Sequence, residues 1–171
     1  LPIALFLFII YSYSKRFTGA CHIILGIACA VAPAGAWIAV TGGLDLPGLI
    51  ICAADVLWVA GFDIIYAVQD REFDVKEGLH SIPVKLGANR SYLIAAVFHS
   101  LMILFLFALG IVLSLPWLYF CGIILIALLL IYENLIARPK GGKKIIFAAY
   151  NLNKIISVIF LLTVLLSIFL F

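Results

Sequence analysis

Three aspartates, Asp63, Asp70 and Asp74, punctuate the stretch DIIYAVQDREFD at positions 63–74. On a continuous α-helix, Asp70 and Asp74 would fall about 40° apart around the axis, and Asp63 about 20° from Asp70. Glu72 would point away. One face is therefore expected to carry a ladder of carboxylates, with Asp70 and Asp74 one turn apart at the wet boundary. Two carboxylates at that spacing repel each other by a few tenths of a kcal/mol, roughly, unless a cation sits between them. Magnesium suits the position, because it takes one or two carboxylates and completes its octahedron with water and phosphate oxygens. A solvated loop in which Arg71, Lys76 and Glu77 screen the acids would explain the DxxxD spacing equally well. Asp63 weighs against that, since an ionisable residue inside an apolar run is costly and usually functional.

A second group precedes it in YSYSKRFT at 11–18. Tyr11 and Lys15 stand one turn apart, with Arg16 next. Lysine and arginine there could grip a diphosphate through charge-assisted hydrogen bonds, or simply anchor a helix at a membrane surface. Arg71, and Asn151 and Asn153 at the entry of the last helix, are further candidate substrate contacts. His99 is expected to be a hydrogen-bonded packing residue, and Asp55 a polar contact between helices. His22 and His80 have no metal-ligating partner at a recognisable spacing. Cys21, Cys29, Cys52 and Cys121 lie in apolar stretches without CxxC pairing and read as packing residues.

The elements that must position these groups are apolar helices. Of 171 residues, 67% are hydrophobic and 11% charged, and the mean hydropathy is +1.30. A soluble domain carries about twice that share of charge. Soluble enzymes, nucleic-acid readers and disordered tails are excluded, and a multi-spanning membrane protein remains. The expected class is an all-α polytopic bundle in one domain over 1–171. Complete spans are expected at 20–41, 48–68, 92–113, 116–137 and 145–171, with a truncated one at 1–12. The chain opens on Leu1 inside an apolar run, as a fragment would. Ten of its eleven Lys and Arg residues fall in the connections 13–19, 69–91 and 138–144. The positive-inside rule assigns those three connections to the cytoplasm. Gly26, Ala30 and Ala34 form a small-xxx-small seam for close helix approach. Pro33 frees a carbonyl that must be sheltered by a neighbouring helix or a polar cavity.

The run at 63–74, continued by VKEGLHS to Ser81, resembles the second Asp-rich motif of the UbiA family of intramembrane aromatic prenyltransferases. YSYSKR at 11–16 is similar to that family's YxxxK(R) element, and Ala34–Trp37 to its fifth helix. The resemblance extends over the whole chain and implies helices four to nine of a nine-helix fold. The family's first motif, of NxxxDxxxD type, does not occur here, so the polypeptide alone is not expected to be a competent enzyme. The implied activity is Mg2+-dependent transfer of a polyprenyl group from its diphosphate to an aromatic acceptor such as 4-hydroxybenzoate. The pathway would be ubiquinone or menaquinone biosynthesis. Asp70 and Asp74 would be metal ligands and Asp63 a further catalytic residue. Tyr11, Lys15 and Arg16 would face the diphosphate or the acceptor. A bacterial inner membrane with a cytoplasmic active site is implied, and nucleic acid is not a partner.

The rival reading is a secondary transporter with a relay of Asp55, Asp63, His99 and Lys154. The crowding of charge at one mouth argues against it. The DGxxAR signature of CDP-alcohol phosphotransferases is absent. Depth along the helices further suggests that Asp63 and Lys154 share a polar pocket beneath the metal site.

Overall fold

The computed structural model describes residues 2–137 and 144–170, with side chains described for 5–137 and 151–170. The described residues form seven helices and no strand: α1 (Pro2–Ser14), α2 (Cys21–Thr41), α3 (Leu46–Ala67), α4 (Arg71–Lys76), α5 (Ile82–Val112), α6 (Trp117–Ile136) and α7 (Lys144–Phe169). Five of them contain apolar segments long enough to cross a membrane. α1 contributes a shorter apolar stretch, Leu5–Ser14. Basic residues of the 138–144 connection lie outside the described side chains.

Local chemistry sets the helix ends. Asp45 caps α3 by accepting from the Gly48 amide at 3.1 Å, with Pro47 in the first turn. Gly42 ends α2 in the left-handed conformation, φ +80°, and its amide returns to the Ile38 carbonyl at 2.8 Å. Glycine alone enters that region without a Cβ penalty. Ser81 caps α5 by accepting from the Val84 amide.

α3 is the central element and packs against α2 on one side and α5 on the other; α6 and α7 pair with each other, and α1 lies on α2. The α2–α3 contact uses the small-residue seam: a Cβ at Gly26 would collide with the Val56 carbonyl of α3. Ala30 is buried in the same line. Between α5, α6 and α7, Met102, Leu106, Leu109, Tyr119, Ile123, Ile126, Leu130 and Ile156 form the main apolar core. The Tyr119 hydroxyl donates to the Leu106 carbonyl at 2.9 Å, and Gly122 leaves space filled by Thr163. Large apolar side chains also lie on the outside, as on helices whose solvent is hydrocarbon.

Two sequence expectations need correction. The aspartate stretch is not one continuous helix. α3 stops at Ala67, residues 68–70 form a turn, and α4 restarts at Arg71. The angular ladder therefore does not exist as such. The connection 69–91 is also largely helical: α4 occupies its start, and α5 begins at Ile82. α5 is broken at Gly87, where φ is +77°. The apolar run expected at 92–113 covers only the part of α5 beyond that break.

Candidate active site

The helix break brings the acidic stretch back against the loop after α1. Asp70, exposed, sits at the head of α4 with no capping bond from its side chain. Its carbonyl accepts the Asp74 amide at 2.8 Å, which completes one turn. That turn drives Asp74 inward until it is 1% exposed. Both of its carboxylate oxygens receive the Lys15 ammonium, at 3.2 and 3.4 Å. A buried carboxylate needs an opposite charge, and Lys15 supplies it while its own side chain stays 30% exposed. The wet-boundary expectation thus fits Asp70 and is corrected for Asp74.

The loops that carry these groups are stitched together by backbone. The His80 amide donates to the Lys15 carbonyl at 2.6 Å, and the Cys21 thiol lies 3.8 Å from the His80 carbonyl. Leu79 donates to the Asp74 carbonyl at 2.8 Å. Lys15 is therefore held at both its main chain and its ammonium by the segment containing Asp74.

Asp63 lies on α3 about one turn inside the helix end. Its Oδ2 is 2.6 Å from His22 Nδ1, at the start of α2. It is also close enough to the Tyr11 phenol and the Cys29 thiol to act on both electrostatically. Depth along the helices suggests Lys154 as a further companion; Lys154 lines a cavity with Trp58, Val59, Phe62, Tyr66, Asn153 and Ser157, a lining that does not include Asp63. Phe62 and Tyr66 occupy one stripe of α3, and Asp63, one residue round, faces α2.

The other candidates are scattered. The Arg16 guanidinium stands over the Tyr13 ring, 5.6 Å from its centre. Arg71 donates from Nε to the Pro83 carbonyl at 3.0 Å, tying α4 to the first turn of α5. Asn151 is half-buried early in α7. His99 is buried against Gly61, whose missing Cβ makes room for the ring, and accepts at Nδ1 from Asn134 at 2.9 Å. Asp55 lines an apolar cavity of about 230 Å³ together with Pro33, Trp58 and Phe160. The transporter relay is not favoured: His22 engages Asp63 from α2 while Asn134 engages His99 from α6.

Sequence reasoning missed two pairings. One is His22 with Asp63. The other is a chain through the bundle in which Trp58 Nε1 donates to Asn153 at 2.8 Å and Asn153 Nδ2 donates to Glu133 at 2.9 Å. Glu133 is fully buried, and a glutamate in an apolar run was itself a usable signal. Nothing in spacing could have found partners 41 and 95 residues apart.

Among the described residues, no group of three or more His, Cys, Asp or Glu is placed to hold a metal ion. Asp74 already holds a cation, the Lys15 ammonium, and Asp70 stands exposed one turn away. One or two carboxylates fit magnesium shared with phosphate oxygens better than an all-protein cage.

The model of the UbiA prenyltransferase family matches residues 1–155. The 4-hydroxybenzoate octaprenyltransferase of Neisseria meningitidis serogroup B is 34% identical over 152 residues, covering 88% of this chain and 50% of that protein. The protein of that name from Marinobacter nauticus is 30% identical over 145 residues, covering 84% and 49%. The apo structure of a UbiA homolog from Aeropyrum pernix K1 superposes with a TM-score of 0.84 at 27% identity, over 98% of this chain and 62% of that one. The chain thus spans about half the length of the curated relatives it matches.

Proposed function

Because this chain belongs to the UbiA prenyltransferase family, we propose that the protein carrying it transfers a polyprenyl group from its diphosphate to an aromatic acceptor such as 4-hydroxybenzoate. The names of its relatives support that substrate pair. The observation that carries the reading is the Lys15–Asp74 pair beside Asp70. It gathers one cation and two carboxylates at the mouth of a helical bundle, where a diphosphate could dock while its isoprenoid tail stays in lipid.

Asp70 and Asp74 would hold Mg2+, which as a Lewis acid offsets charge gathering on the diphosphate as its C1–O bond breaks. Lys15 and Arg16 donate to diphosphate oxygens. Tyr11 lies on the inner side of this group, toward Asp63, where the allylic carbon and the acceptor ring would meet. Arg71 holds α4 against α5 and so fixes Asp70 and Asp74 relative to Lys15. Asn151 contacts the substrate from α7. The bundle walls keep water from the allylic cation until a ring carbon attacks it. The asymmetry of basic residues supports a mouth that faces the cytoplasm, in a bacterial inner membrane. The helices correspond to four through nine of the family's nine. Both ubiquinone and menaquinone precursors have rings of the required electron density.

The test is transfer of radiolabel from a polyprenyl diphosphate to 4-hydroxybenzoate by the complete protein in membranes. Label in a lipid-soluble aromatic product is expected. Its absence with 4-hydroxybenzoate and with a naphthoate acceptor alike would overturn the reading.

A further inference from the structure

His22 is 0% exposed, and its Nδ1 meets Asp63 Oδ2 at 2.6 Å. With Asp63 ionised, its carboxylate only accepts, and Nδ1 carries the shared proton whether the imidazole is neutral or cationic. His22 Nε2 is buried and has no hydrogen-bond partner. A buried polar atom left unpaired costs about 1–3 kcal/mol, and the ring's hydrogen bond to Asp63 runs through its other nitrogen. The Asp63 side chain keeps 20% exposure. Part of the Asp63 carboxylate is therefore accessible, while His22 is not.

Position narrows the use. Asp63 is four residues before the end of α3, about 6 Å inside it. The diphosphate-facing groups Lys15, Asp70 and Asp74 lie beyond that end. A ring attacking the allylic carbon must sit inward of the diphosphate, which is the level of Asp63 and Tyr11. The final step of such a substitution is loss of the proton from the ring carbon that has just formed its new bond. An acceptor for it is needed away from the water at the mouth.

Resting on the reading above, we propose that His22 is a positioning residue that holds Asp63 Oδ2, leaving the other carboxylate oxygen aimed at the acceptor ring to take that proton. In the step, the ring C–H bond breaks, its electron pair restores the aromatic sextet, and the proton passes to Asp63. Diphosphate has already left with the C1–O electron pair, so no oxidant or reductant is required. His22 remains a donor to Oδ2 throughout and never touches substrate.

The test compares wild type, His22→Leu and His22→Asn in the complete protein. The acceptor is 4-hydroxybenzoate, either unlabelled or deuterated at the carbons beside the hydroxyl-bearing one. Asparagine can place an N–H where Nδ1 stood; leucine cannot. In wild type, proton loss is expected to be faster than ionisation, with an isotope effect near unity. His22→Leu is expected to lower kcat about 30-fold, less than the 10²–10⁴ of losing a general base outright. KM for the prenyl diphosphate should hold, and the isotope effect should rise clearly above unity. His22→Asn should restore both. If leucine prevents folding, His22→Ala, which leaves space, should show the same isotope signature. A fall in kcat with the isotope effect still near unity would mark a merely structural role and overturn the proposal, as would unchanged kcat in His22→Leu. Wild type without transfer to any aromatic acceptor would instead overturn the functional reading beneath it.

Discussion

Lys15 and Asp74 are 59 residues apart in the chain and meet as an ion pair at 3.2 Å. The carboxylate is buried and the ammonium partly open to solvent, so the pair behaves as a cation site already filled from within. Incoming diphosphate and metal would compete for the two partners separately, the anion for Lys15 and the metal for Asp74.

Removing Lys15 should therefore cost stability as well as activity. Lys15→Met leaves a buried charge without its partner. About 2 kcal/mol of lost stability is expected, less than the 3–5 kcal/mol of a fully buried pair because water reaches Lys15. Adding Asp74→Leu should recover most of it. Equilibrium unfolding in mild detergent measures both, and a single variant as stable as wild type contradicts the burial argument.

Asp70 and Asp74 should separate in the same assay. Both alanine variants should lose prenyl transfer in the complete protein by at least about 100-fold, the scale of removing a charge that acts on the leaving group. Asp70→Ala should change stability by under about 0.5 kcal/mol, as exposed substitutions do. Wild-type turnover in either variant at limiting magnesium would remove that residue from the ligand set.

Chelation should abolish turnover, and Mg2+ should restore it, since the two carboxylates form only part of a shell. Full activity in excess EDTA would show that Lys15 and Arg16 alone suffice for the diphosphate.

The charge asymmetry predicts that single cysteines at positions 15, 77 and 143 label only from the cytoplasmic side of intact cells. Labelling of any one from outside would reverse the orientation.

Gly26 is where α2 and α3 come into backbone contact, and no side chain fits there. Gly26→Leu should destabilise the bundle by about 1–3 kcal/mol through overpacking. Gly35, with open space around its Cβ position, should accept alanine at almost no cost. Thermal aggregation midpoints in detergent would rank the two, and equal behaviour would contradict the close approach.

The membrane class, the five long spans and the gathering of charge at alternate connections were legible in the residues themselves. Each follows from a property summed along the chain: apolar length, charge position, or the small residues at Gly26 and Ala30. The Asp63–Asp74 stretch could likewise be singled out by type and spacing. What tertiary structure decided is which charge each aspartate meets. The break after Ala67 uncouples Asp63 from Asp70 and Asp74, so helical periodicity no longer relates them. Packing of α3 on α2 then gives Asp63 to His22, and the turn of α4 gives Asp74 to Lys15. In hydrocarbon a buried polar group is stable only beside a partner. That partner comes from whichever helix packs there, a choice made by the fit of surfaces such as Gly26 on Val56 rather than by distance along the chain.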